Sequence, residues 1–189
     1  MADDSLELFP SEAAAASGEA AAARPLADRM RPRTFEEVLG QTKLTGEGTA
    51  LRALVEAGEL PSVIFWGPPG TGKTTLARLL AASPATRIEE LSAVVAGVKE
   101  IRAAVDAARG AQRRGVRTLL FIHEIHRLNR AQQGVLLPHV EAGTVTLVGA
   151  TTENPSFEVN APLLARCRVF VLAALEPAEI EALLDRAIA

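Results

Sequence analysis

The feature that most constrains this chain is eight residues long: Gly67-Pro68-Pro69-Gly70-Thr71-Gly72-Lys73-Thr74. It follows Ser62-Val63-Ile64-Phe65-Trp66, which reads as a short buried strand, and it opens a segment, 73–82, that reads as a helix. Glycines allow a strand to turn sharply into a helix while consecutive backbone N–H groups converge on one concavity. The helix adds its positive N-terminal end. The pattern G-x-x-x-x-G-K-[ST] in this context is built to cradle the phosphates of a nucleotide. Its candidate binding residues are Gly67, Pro68, Pro69, Gly70, Thr71, Gly72, Lys73, Thr74 and Thr75. Lys73 is the cation for the terminal phosphates, and the Thr74 hydroxyl is a candidate ligand for magnesium. A guanine-reading N-K-x-D motif is absent, which favours ATP over GTP.

The rest of the chain is arranged around this turn in alternating units. Strands are expected at 62–66, 87–91, 117–122, 144–150 and 169–172. Helices are expected at 48–58, 73–82, 98–109, 130–141 and 177–188, with a further helix starting at Thr34, capped by Thr34 and Glu37. Alternating strands and helices, with strands apolar on both faces, imply an α/β fold: a parallel sheet covered on two sides. The 189 residues suffice for one such domain and the start of a second, and 48% are apolar, enough for a sizeable core. A net charge of −3 argues against binding nucleic acid through bulk basic charge, though not against a local patch. The single cysteine, Cys167, excludes an internal disulfide framework and fits a reducing compartment. No apolar run is long enough to span a bilayer, and the acidic N-terminus lacks a signal pattern, so the chain is expected to be cytoplasmic. Residues 1–24, rich in Ala, Glu and Ser, are expected to be a disordered tail.

The usual partner of a phosphate loop is an apolar strand ending in Asp-Glu, where the Asp supports magnesium and the Glu orients the attacking water. Here Leu119-Leu120-Phe121-Ile122 ends in His123-Glu124. Glu124 is the candidate base. His123 stands at the metal position, where an imidazole suits zinc, copper or nickel better than magnesium. The expectation is that ATP binds but its hydrolysis is impaired.

Several stretches resemble the replication-associated recombination protein A family of AAA+ ATPases, related to the Werner-helicase-interacting ATPase. They are Pro25-Leu26-Ala27-Asp28-Arg29-Met30-Arg31-Pro32, Val38-Leu39-Gly40-Gln41, Gly97-Val98-Lys99-Glu100-Ile101-Arg102, Glu124-Ile125-His126-Arg127-Leu128-Asn129 and, most densely, Gly149-Ala150-Thr151-Thr152-Glu153-Asn154-Pro155-Ser156-Phe157-Glu158. The resemblance implies a phosphate-loop NTPase sheet of strand order 5-1-4-3-2, covering 25–175, with 176–189 as the first helix of an incomplete lid. It implies ATP with magnesium, and DNA remodelling at stalled forks in replication, recombination and repair. It places a γ-phosphate sensor at Thr152, with Asn154 as the second candidate. Arg166 maps to the arginine that enters a neighbouring subunit's site. The adenine pocket falls near Met30 to Pro32 and Val38 to Gln41. Partners would be fork DNA and further copies of the same chain in a nucleoid-associated assembly, although the lid's arginine and the oligomerisation region would lie beyond residue 189. Bland alternatives exist: Thr152 as a turn residue, Arg166 as a solvated surface charge, and His126, Trp66 and Cys167 as packing residues.

In the tail, Ser5-Leu6-Glu7-Leu8-Phe9 resembles peptides that dock on the bacterial sliding clamp, with Leu6, Leu8 and Phe9 as anchors. Two other functional readings compete with the ATP-driven remodeller. One is a nucleotide-binding scaffold without significant turnover, favoured by His123. The other is a clamp-loader or branch-migration ATPase, which the segment from Thr152 to Glu158 argues against.

Overall fold

The computed structural model describes residues 25–58, 60–82 and 85–188, so the expected tail and its clamp-docking anchors Leu6, Leu8 and Phe9 lie outside the described residues. In chain order the elements are α1 (Leu26–Arg29), α2 (Thr42–Thr45), α3 (Ala50–Glu56), β1 (Ser62–Trp66), α4 (Lys73–Leu80), β2 (Thr86–Ser92), α5 (Val98–Gln112) and β3 (Arg117–His123). A single 3-10 turn (Ile125–Arg127) follows, then α6 (Arg130–Glu141), β4 (Thr146–Thr151), α7 (Pro155–Glu158), α8 (Ala161–Leu164), β5 (Cys167–Val171) and α9 (Pro177–Ile188). The helix expected to start at Thr34 is absent; residues 34–37 form bends and a turn. Glu37 does cap a backbone N–H, but that of Arg33, at 2.8 Å. Gly40, at φ 76°, then ends the segment before enough turns exist to repay helix nucleation.

All neighbouring strands pair in parallel, in the order β2-β3-β4-β1-β5. From the other edge this is the expected 5-1-4-3-2. Strand alternation explains why two helical layers are needed. Val63 and Phe65 of β1, Leu119 and Phe121 of β3, and Val148 and Ala150 of β4 pack on one face with Leu76, Ala77 and Leu80 of α4. Ile64, Leu120, Ile122 and Leu147 point the other way, onto Ile101, Ala104 and Ala108 of α5 and Leu136 of α6. Each fully buried Leu, Ile or Phe contributes about 1.5–3 kcal/mol, so a sheet apolar on both faces cannot leave either uncovered.

Parallel pairing puts the C-terminal ends of all strands on one rim, the usual location of ligands in such sheets. β1 runs off that rim into the glycine turn, β3 ends there at His123, and β4 ends there at Thr151. Cys167 is in register with Ser62, at the opposite rim, which places Arg166 there too. At about 3.3 Å per residue, the two rims are roughly 15 Å apart along β1. Among the described residues no helix is long and apolar enough to cross a membrane.

Candidate nucleotide-binding site

The turn after β1 is closed by backbone before any ligand arrives. The Gly67 N–H donates to the Thr151 carbonyl at 3.1 Å, and the Leu172 N–H donates to the Trp66 carbonyl at 2.7 Å. A Cβ on Gly67 would lie 2.5 Å from the Leu172 oxygen, so only glycine permits this approach. Gly72, the residue before α4, has φ 96°, a conformation that side chains resist. Lys73 is buried, and its Nζ donates to the carbonyls of Gly67 at 2.8 Å and Pro68 at 2.7 Å. The Thr71 hydroxyl donates to the Pro68 carbonyl at 2.9 Å. Burial pushes the Lys73 pKa below its ordinary value, and the negative charge of Glu124 counteracts part of that shift. Lys73 is thus a desolvated ammonium whose hydrogen-bond partners among the described residues are two carbonyl dipoles, for which phosphate oxygens are a better match.

Glu124, at φ 53° and ψ 49°, is the one non-glycine among the described residues with positive φ. That conformation costs about 1–2 kcal/mol, and such strain gathers where a side chain must be aimed for function. Glu124 Oε2 lies 3.4 Å from His126 Nδ1, and the same ring nitrogen lies 3.0 Å from the Thr151 hydroxyl. His126 therefore bridges the candidate base to the end of β4.

His123 is packed on Phe121, ring centroids 4.2 Å apart. Its Nε2 lies 3.3 Å from Glu90 Oε2 on the neighbouring strand β2. Glu90 Oε1 in turn accepts from Arg78 Nε of α4 at 3.1 Å. Burial pushes the Glu90 pKa up, but the hydrogen bonds and charges of Arg78 and His123 outweigh it and hold the carboxyl below its usual range. Magnesium demands hard oxygen ligands and keeps several waters. The protein donor at the end of β3 is an imidazole tied to a carboxylate, a nitrogen ligand that does not suit that ion.

Beside the loop lies a cleft of about 650 Å³, walled by Lys73 and Thr74 at the start of α4, by Met30 and Arg31, and by Ile180 and Leu184 of α9. A largely apolar cleft next to an anion nest is the shape a base and its phosphates require. Residues 63–175 match the family described as AAA: ATPase family associated with various cellular activities. The chain belongs to the AAA family of ATPases.

The relatives of this AAA chain agree with the resemblance in its sequence. It is 52% identical over 164 residues to Replication-associated recombination protein A of Haemophilus influenzae, covering 87% of this chain and 37% of that protein. It is 48% identical to ATPase WRNIP1 of Dictyostelium discoideum, over 86% of this chain and 18% of that protein. The chain thus spans well under half the length of the curated relatives it matches. Among solved structures, the Thermotoga maritima RuvB Holliday junction branch migration motor is similar with a TM-score of 0.67 and 33% identity, covering 83% of this chain and 53% of that one.

Within the AAA fold the remaining candidates separate. Met30, Arg31 and Pro32 line the cleft, whereas Val38 and Gln41 are not among its lining residues. Val38 is buried in the core beside α4. Gln41 is also buried; its Nε2 donates to the carbonyls of Ala173 at 2.8 Å and Thr71 at 3.4 Å, and its Oε1 accepts from the Ala173 N–H at 3.2 Å. With both ends of its amide engaged, Gln41 ties the loop to the segment after β5. The buried Thr75 accepts a long bond from Arg31 Nη1 at 3.5 Å. Thr152 directly follows Thr151, whose carbonyl anchors the loop, and no hydrogen bond engages its hydroxyl among the described residues. Asn154 is committed as a helix cap, its Oδ1 accepting from the Ser156 N–H at 3.0 Å. Arg166 pairs with Glu141 at 2.8 Å, on the far rim from the loop of its own chain. Burial pushes the Cys167 thiol up to about 12, so it is no nucleophile. Sequence reasoning did not single out Glu90, and it took His126 for a packing residue. The neighbours that give both residues a role come from other strands.

Proposed function

We propose that this chain is the ATP-binding and ATP-hydrolysing module of a DNA-remodelling protein acting in replication-associated recombination. The observation that carries the reading is the pairing of a desolvated Lys73, inside a preformed amide nest, with a strained Glu124 whose charge is felt at that lysine. In this reading the loop amides and Lys73 grip the triphosphate, and the base lies in the cleft against Met30 and Leu184. Glu124, steadied by His126, takes the water's proton as the water attacks the γ-phosphorus in line with the β–γ bridging oxygen, whose bond to that phosphorus breaks so that it departs with ADP. Thr152 senses the terminal phosphate. Arg166, too far from its own loop, acts in the site of a neighbouring copy, so turnover depends on self-association. Fork DNA as partner, a cytoplasmic setting, and α9 as the opening of a lid over the nucleotide belong to the same reading. The 52% identity to the recombination protein, against 33% to the branch-migration motor, favours the former's role.

Titration calorimetry with ATP on the wild type and Lys73→Met tests it. A charge-assisted bond contributes about 1.5–3 kcal/mol, so affinity should fall roughly 10- to 100-fold. Unchanged affinity would refute the proposed grip. The free chain should respond in the opposite direction. The folded pKa of Lys73 is lowered, so the unfolded state holds that proton more tightly. The ammonium is therefore a cost at neutral pH, relieved as pH rises through the folded value towards 10.5. Lys73→Met should melt no lower than wild type without nucleotide and lose the ATP-dependent rise in melting temperature.

A second reading is a nucleotide-binding scaffold with little turnover, favoured by the engagement of His123 with Glu90. Single-turnover hydrolysis by wild type and His123→Asp separates the two. A faster Asp variant supports the scaffold reading, and equal rates support the ATPase.

A further inference from the structure

The residue that does not suit magnesium has a partner that suits a different ion. We propose that His123 and Glu90, on the rim that carries the phosphate loop, form a site for a divalent cation of the transition series, such as manganese or cobalt, that arrives with the nucleotide. The inference rests on the nucleotide reading above.

Spacing is the first argument. Two donor atoms each about 2.1 Å from one cation, at angles between tetrahedral and octahedral, are roughly 3.0–3.4 Å apart. His123 Nε2 and Glu90 Oε2 are 3.3 Å apart. That hydrogen-bond distance also falls within the separation of adjacent ligands on one ion, so a cation can replace the bond with little movement of either side chain.

Orientation is the second. Arg78 holds the other carboxylate oxygen of Glu90 at 3.1 Å, leaving Oε2 turned to the imidazole. The Phe121 ring, 4.2 Å away between centroids and tilted by 57°, packs against His123 and limits its rotation. Partners of this kind aim ligands at a metal.

Place is the third. Arg78 is four residues after Thr74 on α4, so Thr74 lies one turn away on the same side of the helix. Thr74 lines the cleft, and its hydroxyl, which no hydrogen bond engages among the described residues, is the loop group that would meet a nucleotide-borne cation. One imidazole, one carboxylate, one hydroxyl and the nucleotide's phosphate oxygens make a mixed nitrogen and oxygen set. The oxygens of this set suit manganese as well as magnesium, and the imidazole tips it towards the transition series.

The test uses the full chain, stripped with chelator and labelled with 15N-histidine. ATP binding is measured by calorimetry in saturating magnesium, manganese or cobalt, and the manganese–ATP complex is examined by pulsed electron paramagnetic resonance. The expected result is tighter ATP binding with manganese or cobalt than with magnesium, and a 15N coupling to manganese from a directly bound imidazole. His123→Asp should abolish that coupling and erase the preference. Glu90→Gln, with folding checked by circular dichroism, should lower manganese-supported affinity roughly tenfold and leave magnesium-supported affinity unchanged. ATP that binds equally well with all three ions, or a complex without nitrogen coupling, overturns the cation site and leaves the nucleotide reading standing. No ATP binding with any ion overturns both.

Discussion

The inner wall of the cleft is α4 with its loop; the outer wall is the segment 26–32 with α9. Six of the eight residues of α4 are buried, including Leu76, Leu79 and Leu80. Neither α1 nor α9 buries a single residue, and Ile180 and Leu184 are 46% and 57% exposed. The inner wall is part of the core. The outer wall hangs from few polar ties, among them Arg186 Nη1 to the Glu37 carbonyl at 3.2 Å and the amide of Gln41 on Ala173. The loop wall is therefore held by the core without a ligand, while the outer wall lacks a core of its own. A nucleotide that fills the cleft should stabilise the outer wall more than the inner one, because segments with few buried contacts open at the lowest cost.

Three substitutions probe that contrast. The largest effect is expected from Leu76→Ala, which empties a fully buried position under the loop. It should lower the unfolding free energy by about 2–5 kcal/mol in urea titration. A loss comparable to that of an exposed residue would mean the inner wall is not core. Next comes Gln41→Ala, which leaves the Ala173 N–H and the Thr71 and Ala173 carbonyls without their side-chain partner. Unfolding should be easier by about 1–3 kcal/mol, and hydrogen exchange in 173–188 should speed up more than in α4. Equal acceleration in both would remove the distinction between the walls. The smallest effect is expected from Leu184→Ala, less than about 0.5 kcal/mol on the free chain because the side chain is already in water. The same change should reduce the rise in melting temperature that ATP produces. If that rise is unaltered, the nucleotide does not reach α9.

The sequence was most legible where function depends on order along the chain. The loop from Gly67 to Thr74, the strand before it and the acid at Glu124 all announce themselves by spacing. The apolar runs of β1, β3 and β4 located the centre of the sheet, since strands buried on both faces have little room for polar residues. α7 and α8 were missed, being too short for a helical period. Their signal was present in Asn154-Pro155 and in Asn160 with Pro162, where each asparagine caps a backbone N–H and a proline occupies the first turn. Thr34 misled because a capping pattern is no guarantee of a helix when Gly40 lies six residues on. Nothing in the spacing around Gln41 shows what fixes its amide, whose partner lies in a backbone segment 132 residues away.

By itself the sequence determined that this chain makes a parallel α/β sheet with an anion nest after its first strand, since both follow from local pattern: apolar runs, glycines and one lysine. Tertiary structure alone decided which side chains meet on the rim. His123 finds Glu90 because β2 and β3 are adjacent in parallel register, and His126 finds Thr151 because the turn after β3 folds over the end of β4. It also decided that Arg166 lies on the far rim from its own phosphate loop. The physical reason is that hydrogen bonds and ligand geometry are set over about 3 Å, and separation along the chain carries no information about which groups the sheet brings that close.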